Sequence, residues 1–194
     1  MKLAPPAEAP PVPSTDIAGN PVVIGNGLRR TLLCFFRDAY CPFCNYRIYE
    51  LTARHAELSA LGLNIVAVFS SSPDAVRRFV ARHPRPFAVV ADTAPATFEA
   101  YGIEKSFWRK LKGIVARLPT ALKGLRIVGL RGLNTSNLMP ADFLVNEHGR
   151  IVEAYYGTDA GDRISLERVR EFAERGALRQ KAIIQHIAAT TIAR

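Results

Sequence analysis

The chain has 194 residues, 48% of them hydrophobic, with a formal net charge of +9, which suits one domain with a sizeable core and room for an insertion. No apolar run approaches the ~20 residues that a membrane-spanning helix needs, and three cysteines are too few for a structural disulfide framework. The charge is regional: between Lys105 and Ala141 there is no acidic residue, while Lys105, Arg109, Lys110, Lys112, Arg117, Lys123, Arg126 and Arg131 fall there. Nine minus eight leaves +1 for the rest of the chain.

Residues 1–13 read as an extended, Pro-rich lead-in. They lack the apolar core of a signal peptide, which sets the expectation of a cytoplasmic protein. A turn at Gly19-Asn20-Pro21 leads to a short strand at Val22-Val23-Ile24, and a second turn at Gly25-Asn26-Gly27 leads on. Thr31-Leu32-Leu33-Cys34-Phe35-Phe36 is apolar at consecutive positions and predicts a central strand covered on both faces. A helix is expected from Cys41 to about Ala60, stopped by Gly62, then a strand over Leu63–Phe69. Ser72-Pro73-Asp74 supplies a cap and a first-turn proline for a helix to about Arg82. A strand over Phe87–Ala91 and a short helix over Thr93–Tyr101 follow. Phe143-Leu144-Val145 and Ile151–Tyr155 flank a hairpin turn at 146–150. A last domain helix begins near Ser165, and 177–192 carries a second helical pattern. Strands alternating with helices predict an α/β layer fold.

Cys41-Pro42-Phe43-Cys44 is the segment that carries chemistry. A strand feeding C-x-x-C into a helix start is the layout of a thioredoxin-type redox site. Two cysteines three apart on a helix share a face, and a Cα spacing of about 5–6 Å fits a disulfide. Unpaired N–H groups and the positive end of the helix dipole favour a thiolate at the first cysteine. Pro42 suits the first helical position. The spacing therefore makes Cys41 the nucleophile, the more exposed and more acidic thiol, and Cys44 the shielded resolving thiol. The alternatives are an inert buried pair or half of a zinc site. Zinc needs about four ligands, and there is no second C-x-x-C and no suitable spacing among His55, His83, His148 and His186. No metal or cofactor is expected.

Several stretches together resemble the peroxiredoxin-like (AhpC/TSA) branch of the thioredoxin superfamily. They are Ala9-Pro10 with Asp16-Ile17-Ala18-Gly19, Leu33-Cys34-Phe35-Phe36-Arg37 with Cys41-Pro42, and Val68-Phe69-Ser70-Ser71-Ser72-Pro73. Ala91-Asp92 with Tyr101-Gly102-Ile103, and Pro140–Val145 with Gly149-Arg150-Ile151, complete the series over roughly 9–175. The resemblance implies a thioredoxin-like three-layer sandwich with a central mixed sheet, carrying a basic helical insertion at 104–138. The domain is placed at 14–176, with a helical tail at 177–194. The resemblance also implies a thiol electron donor of thioredoxin or glutathione type, and small-molecule or protein disulfides or hydroperoxides as substrates. Such proteins often dimerise.

Departures from that family's pattern bear on mechanism. Asp38 stands where a Thr or Ser usually precedes the reactive cysteine by three, and Cys34 where a Pro precedes it by seven. Pro140 falls where the family places an arginine that steadies the thiolate, so the usual hydroxyl and guanidinium donors are expected to be missing. Pro140 instead resembles the cis-proline that faces C-x-x-C in thioredoxins and glutaredoxins; its plainer reading is a strand-edge proline.

Other residues admit two readings. Cys34 reads as a small core residue. Asp38 either tunes Cys41 or caps the turn before the helix. Tyr40 and Phe43 flank the cysteines and are expected to shape a docking surface. Gly157–Asp162 reads as a backbone-donor loop for a γ-glutamyl group or as an ordinary loop. Phe107, Trp108, Leu111, Ile114, Val115 and Leu118 fall on one helical face, with Arg109, Lys110, Lys112 and Arg117 mostly off it. That helix is read as packed on the domain with its charges solvated, or as docking on an anionic membrane surface or an acidic partner. Nucleic acid is not expected, because no recognition motif accompanies the charge. The reading as a whole is a thiol oxidoreductase acting through Cys41 and Cys44. Its alternative is a redox-sensitive binding module in which the dithiol is a switch and the basic helix does the docking.

Overall fold

The computed structural model describes residues 1–25, 27–128 and 135–192. Asn26 of the expected turn and Arg131 of the basic run lie outside the described residues, as does Ile187's side chain.

Strand β3 (Thr31–Phe36) is buried at all six positions. It lies in the middle of a five-stranded sheet, parallel to β4 (Asn64–Phe69) and antiparallel to β6 (Ala141–Val145). The outer strands are β5 (Ala88–Ala91), parallel to β4, and β7 (Ile151–Tyr156), antiparallel to β6. The sheet is thus mixed. Strand alternation sends Leu32, Cys34 and Phe36 to one face, where they meet Ile48 and Leu51 of helix α1 (Pro42–Ala60), Val76 of α2 (Pro73–Phe79) and Phe172 of α6 (Leu166–Ile192). Leu33 and Phe35 go to the other face, against Phe98 of α3 (Pro95–Ala100), Tyr101 and Phe143. Each such fully buried side chain contributes roughly 1.5–3 kcal/mol, so an unbroken apolar run can hold a strand only between two layers.

The first hairpin pairs β1 (Val12–Thr15) with β2 (Pro21–Ile24). Its turn is built by Asp16, whose Oδ1 accepts from the N–H groups of Ala18 and Asn20. Strand β1 takes Val12 and Pro13 from the expected lead-in. The residues before it are tied to the body: Ala9 N–H donates to the Gly149 carbonyl, and Tyr101 Oη to the Pro10 carbonyl.

The end of the chain differs from the expected two helices. Helix α6 runs unbroken for 27 residues. Gly176 does not stop it, because the glycine makes room for Arg30: a Cβ there would stand 2.3 Å from Arg30 Cδ. Arg30 in turn donates to the Phe172 carbonyl and pairs with Glu147.

The basic segment forms two helices rather than one, α4 (Phe107–Ala116) and α5 (Leu118–Val128). The break at Arg117 follows from Pro119, which cannot continue an existing helix but fits the first turn of a new one. Their orientation reverses the expected packing. Trp108 is 76% and Val115 72% exposed, while Arg109, Lys110 and Arg117 turn inward.

Candidate active site

Cys41 lies at the end of the loop that leaves β3 and is the N-cap of α1. Its Sγ accepts the Cys44 N–H at 3.2 Å, and Pro42 takes the first helical position. The loop is held from three sides. Ser71 Oγ accepts the Ala39 N–H at 2.9 Å. Buried Asn45 donates to the Ala39 carbonyl at 2.7 Å and to that of Cys41 at 3.1 Å. Cys41 N–H closes a turn onto the Asp38 carbonyl.

Both site cysteines are buried and reduced. The expected exposure of Cys41 is therefore corrected: it is fully buried. Two elements close over it. The backbone of α5 approaches the start of α1 so closely that a Cβ at Gly124 would stand 2.2 Å from the Pro42 carbonyl oxygen. Lys110 on α4 is near enough to feel the charges of Arg37, Asp38 and Cys41, and burial followed by Arg37 lowers its pKa.

The expected absence of a guanidinium donor is also corrected. Arg37, the residue after β3, is 1% exposed, and its Nη2 donates to Cys41 Sγ at 3.0 Å. No carboxylate among the described residues pairs with it. A buried arginine without a counter-charge costs several kcal/mol, so the thiolate of Cys41 is its ion-pair partner. Burial acts to raise the Cys41 pKa. The Cys44 hydrogen bond and then the charge and hydrogen bond of Arg37 outweigh it and bring the thiol down to about 6. Cys44 moves the other way, pushed well up by burial and then by Cys41. One thiolate and one protonated thiol, a turn apart, have the chemistry that a nucleophile and a resolving thiol require. Arg37 Nε and Nη1 have no protein partner, which leaves two buried donors beside the sulfur.

The remaining sequence candidates fall as follows. Asp38 Oδ2 accepts the Ser136 N–H, so its carboxylate fastens the end of the insertion, and it is the Asp38 carbonyl that closes the turn before α1. Tyr40 packs edge-on against Phe79, ring centroids 4.7 Å apart. Phe43 is buried beneath Gly161, so these two rings do not form an open docking surface. Phe43 does line the inner wall of a groove of about 380 Å³ with Tyr46, Arg47, Arg117 and Arg163. Pro140 is preceded by a trans peptide bond, contrary to the cis expectation. It stands just before β6 and against Gly157, whose N–H donates to its carbonyl at 3.0 Å. Cys34 is a core residue opposite buried Asp142, which pairs with Arg163 at 2.6 Å; burial first, then Asp142, raises its pKa. In the 157–162 loop, Asp162 accepts from Thr158 N–H and Asp159 from Gly161 N–H, so those donors are taken internally.

Arg37, Asn45 and Ser71 escaped the sequence reading. A charge immediately after five apolar residues, Leu32 to Phe36, and four before Cys41, was the available signal for Arg37.

The model of the AhpC/TSA family matches residues 4–154. The chain belongs to the AhpC/TSA family. Its frame is that of a peroxiredoxin-like oxidoreductase of the thioredoxin superfamily. The thiol-disulfide oxidoreductase ResA of Halalkalibacterium halodurans is 24% identical over 160 residues, 82% of this chain and 69% of that protein. Among solved structures, a peroxiredoxin-like protein from Aquifex aeolicus superposes with a TM-score of 0.61 at 13% identity, covering 91% of this chain and 89% of its own. Peroxiredoxin Q of Xanthomonas campestris gives 0.59 at 17% identity, over 88% and 97%. These likenesses establish the thioredoxin-like fold.

Proposed function

We infer that this protein reduces hydroperoxides through the Cys41–Cys44 dithiol. The observation that carries the reading is the Arg37–Cys41 pair: a thiolate held 3.0 Å from a buried guanidinium whose Nε and Nη1 have no protein partner. In attack, the Cys41 thiolate takes the terminal oxygen of ROOH, the O–O bond breaks, and RO⁻ leaves and takes a proton from water. Arg37 stabilises the charge developing on the departing oxygen. Cys41 is then a sulfenic acid. The Cys44 thiol condenses with it, an S–S bond forms, and the hydroxyl leaves as water with the Cys44 proton. A thiol donor, either one dithiol of thioredoxin type or two molecules of a monothiol such as glutathione, returns the pair to the thiol state by exchange and leaves as its own disulfide. A small oxidant also suits a sulfur that is fully buried beneath α5.

A second reading is disulfide reduction. It is favoured by the C-x-x-C spacing and by the similarity to a protein named as a thiol-disulfide oxidoreductase. It requires α4 and α5 to move aside before a protein disulfide can reach Cys41.

Mass spectrometry after one equivalent of hydrogen peroxide separates the two. The proposed chemistry gives a Cys41–Cys44 disulfide in the wild type and a dimedone-trappable Cys41 sulfenic acid in Cys44→Ser. Cysteines left unmodified by the peroxide, but oxidised by a small disulfide, would replace the first reading with the second.

A further inference from the structure

Helix α4 is amphipathic in the unusual sense. Its polar face, with Arg117 at its end, is turned in: Arg117 reaches Asp159 at 3.0 Å and Asp162 at 3.3 Å, Arg109 donates to the Thr158 and Gly157 carbonyls, and Lys110 to that of Thr135, while α5 packs on the body through Ala121 and Gly124. Gly113, buried, sits against Ala160. The apolar face is turned out. Phe107, Trp108, Leu111, Val115, Leu118 and Leu122 are between 43% and 76% exposed. A continuous apolar surface of that kind on a folded protein calls for an occupant. Lys112 follows Trp108 by four and borders the same face, and Lys105, Lys123 and Arg126 are exposed in the same segment, Lys123 with its ammonium over the Tyr46 ring. No carboxylate occurs anywhere from Lys105 to Ala141 to offset them.

We propose that the outward face of α4 and α5 docks on the surface of an anionic lipid bilayer. An aromatic and aliphatic face edged by lysines is the make-up of a helix lying in the headgroup plane, and surface cations are drawn to anionic lipid. A second copy of the chain suits the face poorly. It would bring the same lysines and no carboxylate from that segment against these, and like charges would meet across the contact. Inward ion pairs anchor the helices to the body, so docking needs no unfolding. Because α5 packs on Pro42, the docked face lies directly over the dithiol. The proposal is independent of which oxidant Cys41 reduces.

Trp108 is the sole tryptophan of the chain, so its emission reports on this face alone. The test titrates the full-length reduced protein at low salt with vesicles of phosphatidylcholine, and with vesicles containing equal phosphatidylglycerol. Docking predicts a blue shift and quenching by brominated acyl chains with the anionic vesicles, reversed at high salt. Leu111→Asp/Val115→Asp, at two exposed positions and with its fold checked by circular dichroism, is expected to weaken partitioning ~10-fold or more. No shift with anionic vesicles, equal binding to both compositions, or full binding by the double variant would overturn the proposal. So would a blue shift without lipid that tracks dimer formation in sedimentation velocity, since a second copy would then be the occupant.

Discussion

Arg37 Nη2 lies 3.0 Å from Cys41 Sγ, in a pocket that neither residue shares with solvent. Neither charge would be stable there alone. Guanidinium without thiolate is an uncompensated buried cation, and thiolate without guanidinium is a desolvated anion. The pair is therefore one functional unit, and most expectations for this protein follow from it.

Replacing Arg37 by Met removes the charge that offsets burial at Cys41. The thiol is expected to titrate above neutrality instead of at about 6, and peroxide reactivity at pH 7 to fall roughly 10–100-fold, at about 1.4 kcal/mol per pH unit. A pH profile of the rate checks this. The wild type should climb through pH 6 and level off, and the variant should still be climbing at pH 8.

The same pair makes stability depend on pH. The Cys41 pKa is lower in the folded state, about 6, than the ordinary value of 9.0, so between those values the unfolded chain holds the extra proton. Stability of the reduced protein should then rise with pH across that window and be lost as pH falls through 6. Cys41→Ser, which has no titrating group there and leaves Arg37 unpaired, is expected to lack the rise and to be less stable by ~3 kcal/mol at pH 8. Urea melts of both proteins at several pH values measure it.

Gly124 sets how closely α5 covers the dithiol. In Gly124→Ala the new methyl meets the Pro42 carbonyl, and α5 must back away. Alkylation of Cys41 by iodoacetamide is expected to quicken by roughly tenfold, as cover is lost without loss of the thiolate. Unchanged alkylation would mean that α5 does not gate the sulfur.

Asn45 ties the reactive loop to α1 through the Ala39 and Cys41 carbonyls. Asn45→Ala leaves both buried acceptors short and is expected to cost ~1–3 kcal/mol in thermal or denaturant stability, with a smaller loss of rate at low temperature.

Much of the fold was legible in the sequence because local patterns agreed with tertiary placement. The unbroken apolar run of β3, the Ser72-Pro73 start of α2 and the Asn146–Gly149 turn each fix an element by themselves. The place of C-x-x-C at a helix start was legible from spacing. What the sequence hid depends on contacts between distant segments. Cys41 is buried because a glycine 83 positions on, Gly124, lets α5 down onto Pro42. The apolar stripe at 107–118 shows its period but not its direction. That direction is set by Asp159 and Asp162, which draw Arg117 inward. Arg37 went unassigned because the family's arginine is expected after the insertion, whereas here the cation comes from the strand end beside the cysteine.

The most direct test of the account is stopped-flow oxidation of the reduced protein at pH 7 by hydrogen peroxide, with oxidised glutathione as the rival substrate. A rapid second-order reaction with peroxide that vanishes in Cys41→Ser and slows in Arg37→Met is the predicted result. Slow peroxide reaction beside rapid exchange with oxidised glutathione would contradict it, and would make the buried thiolate a disulfide reductant instead.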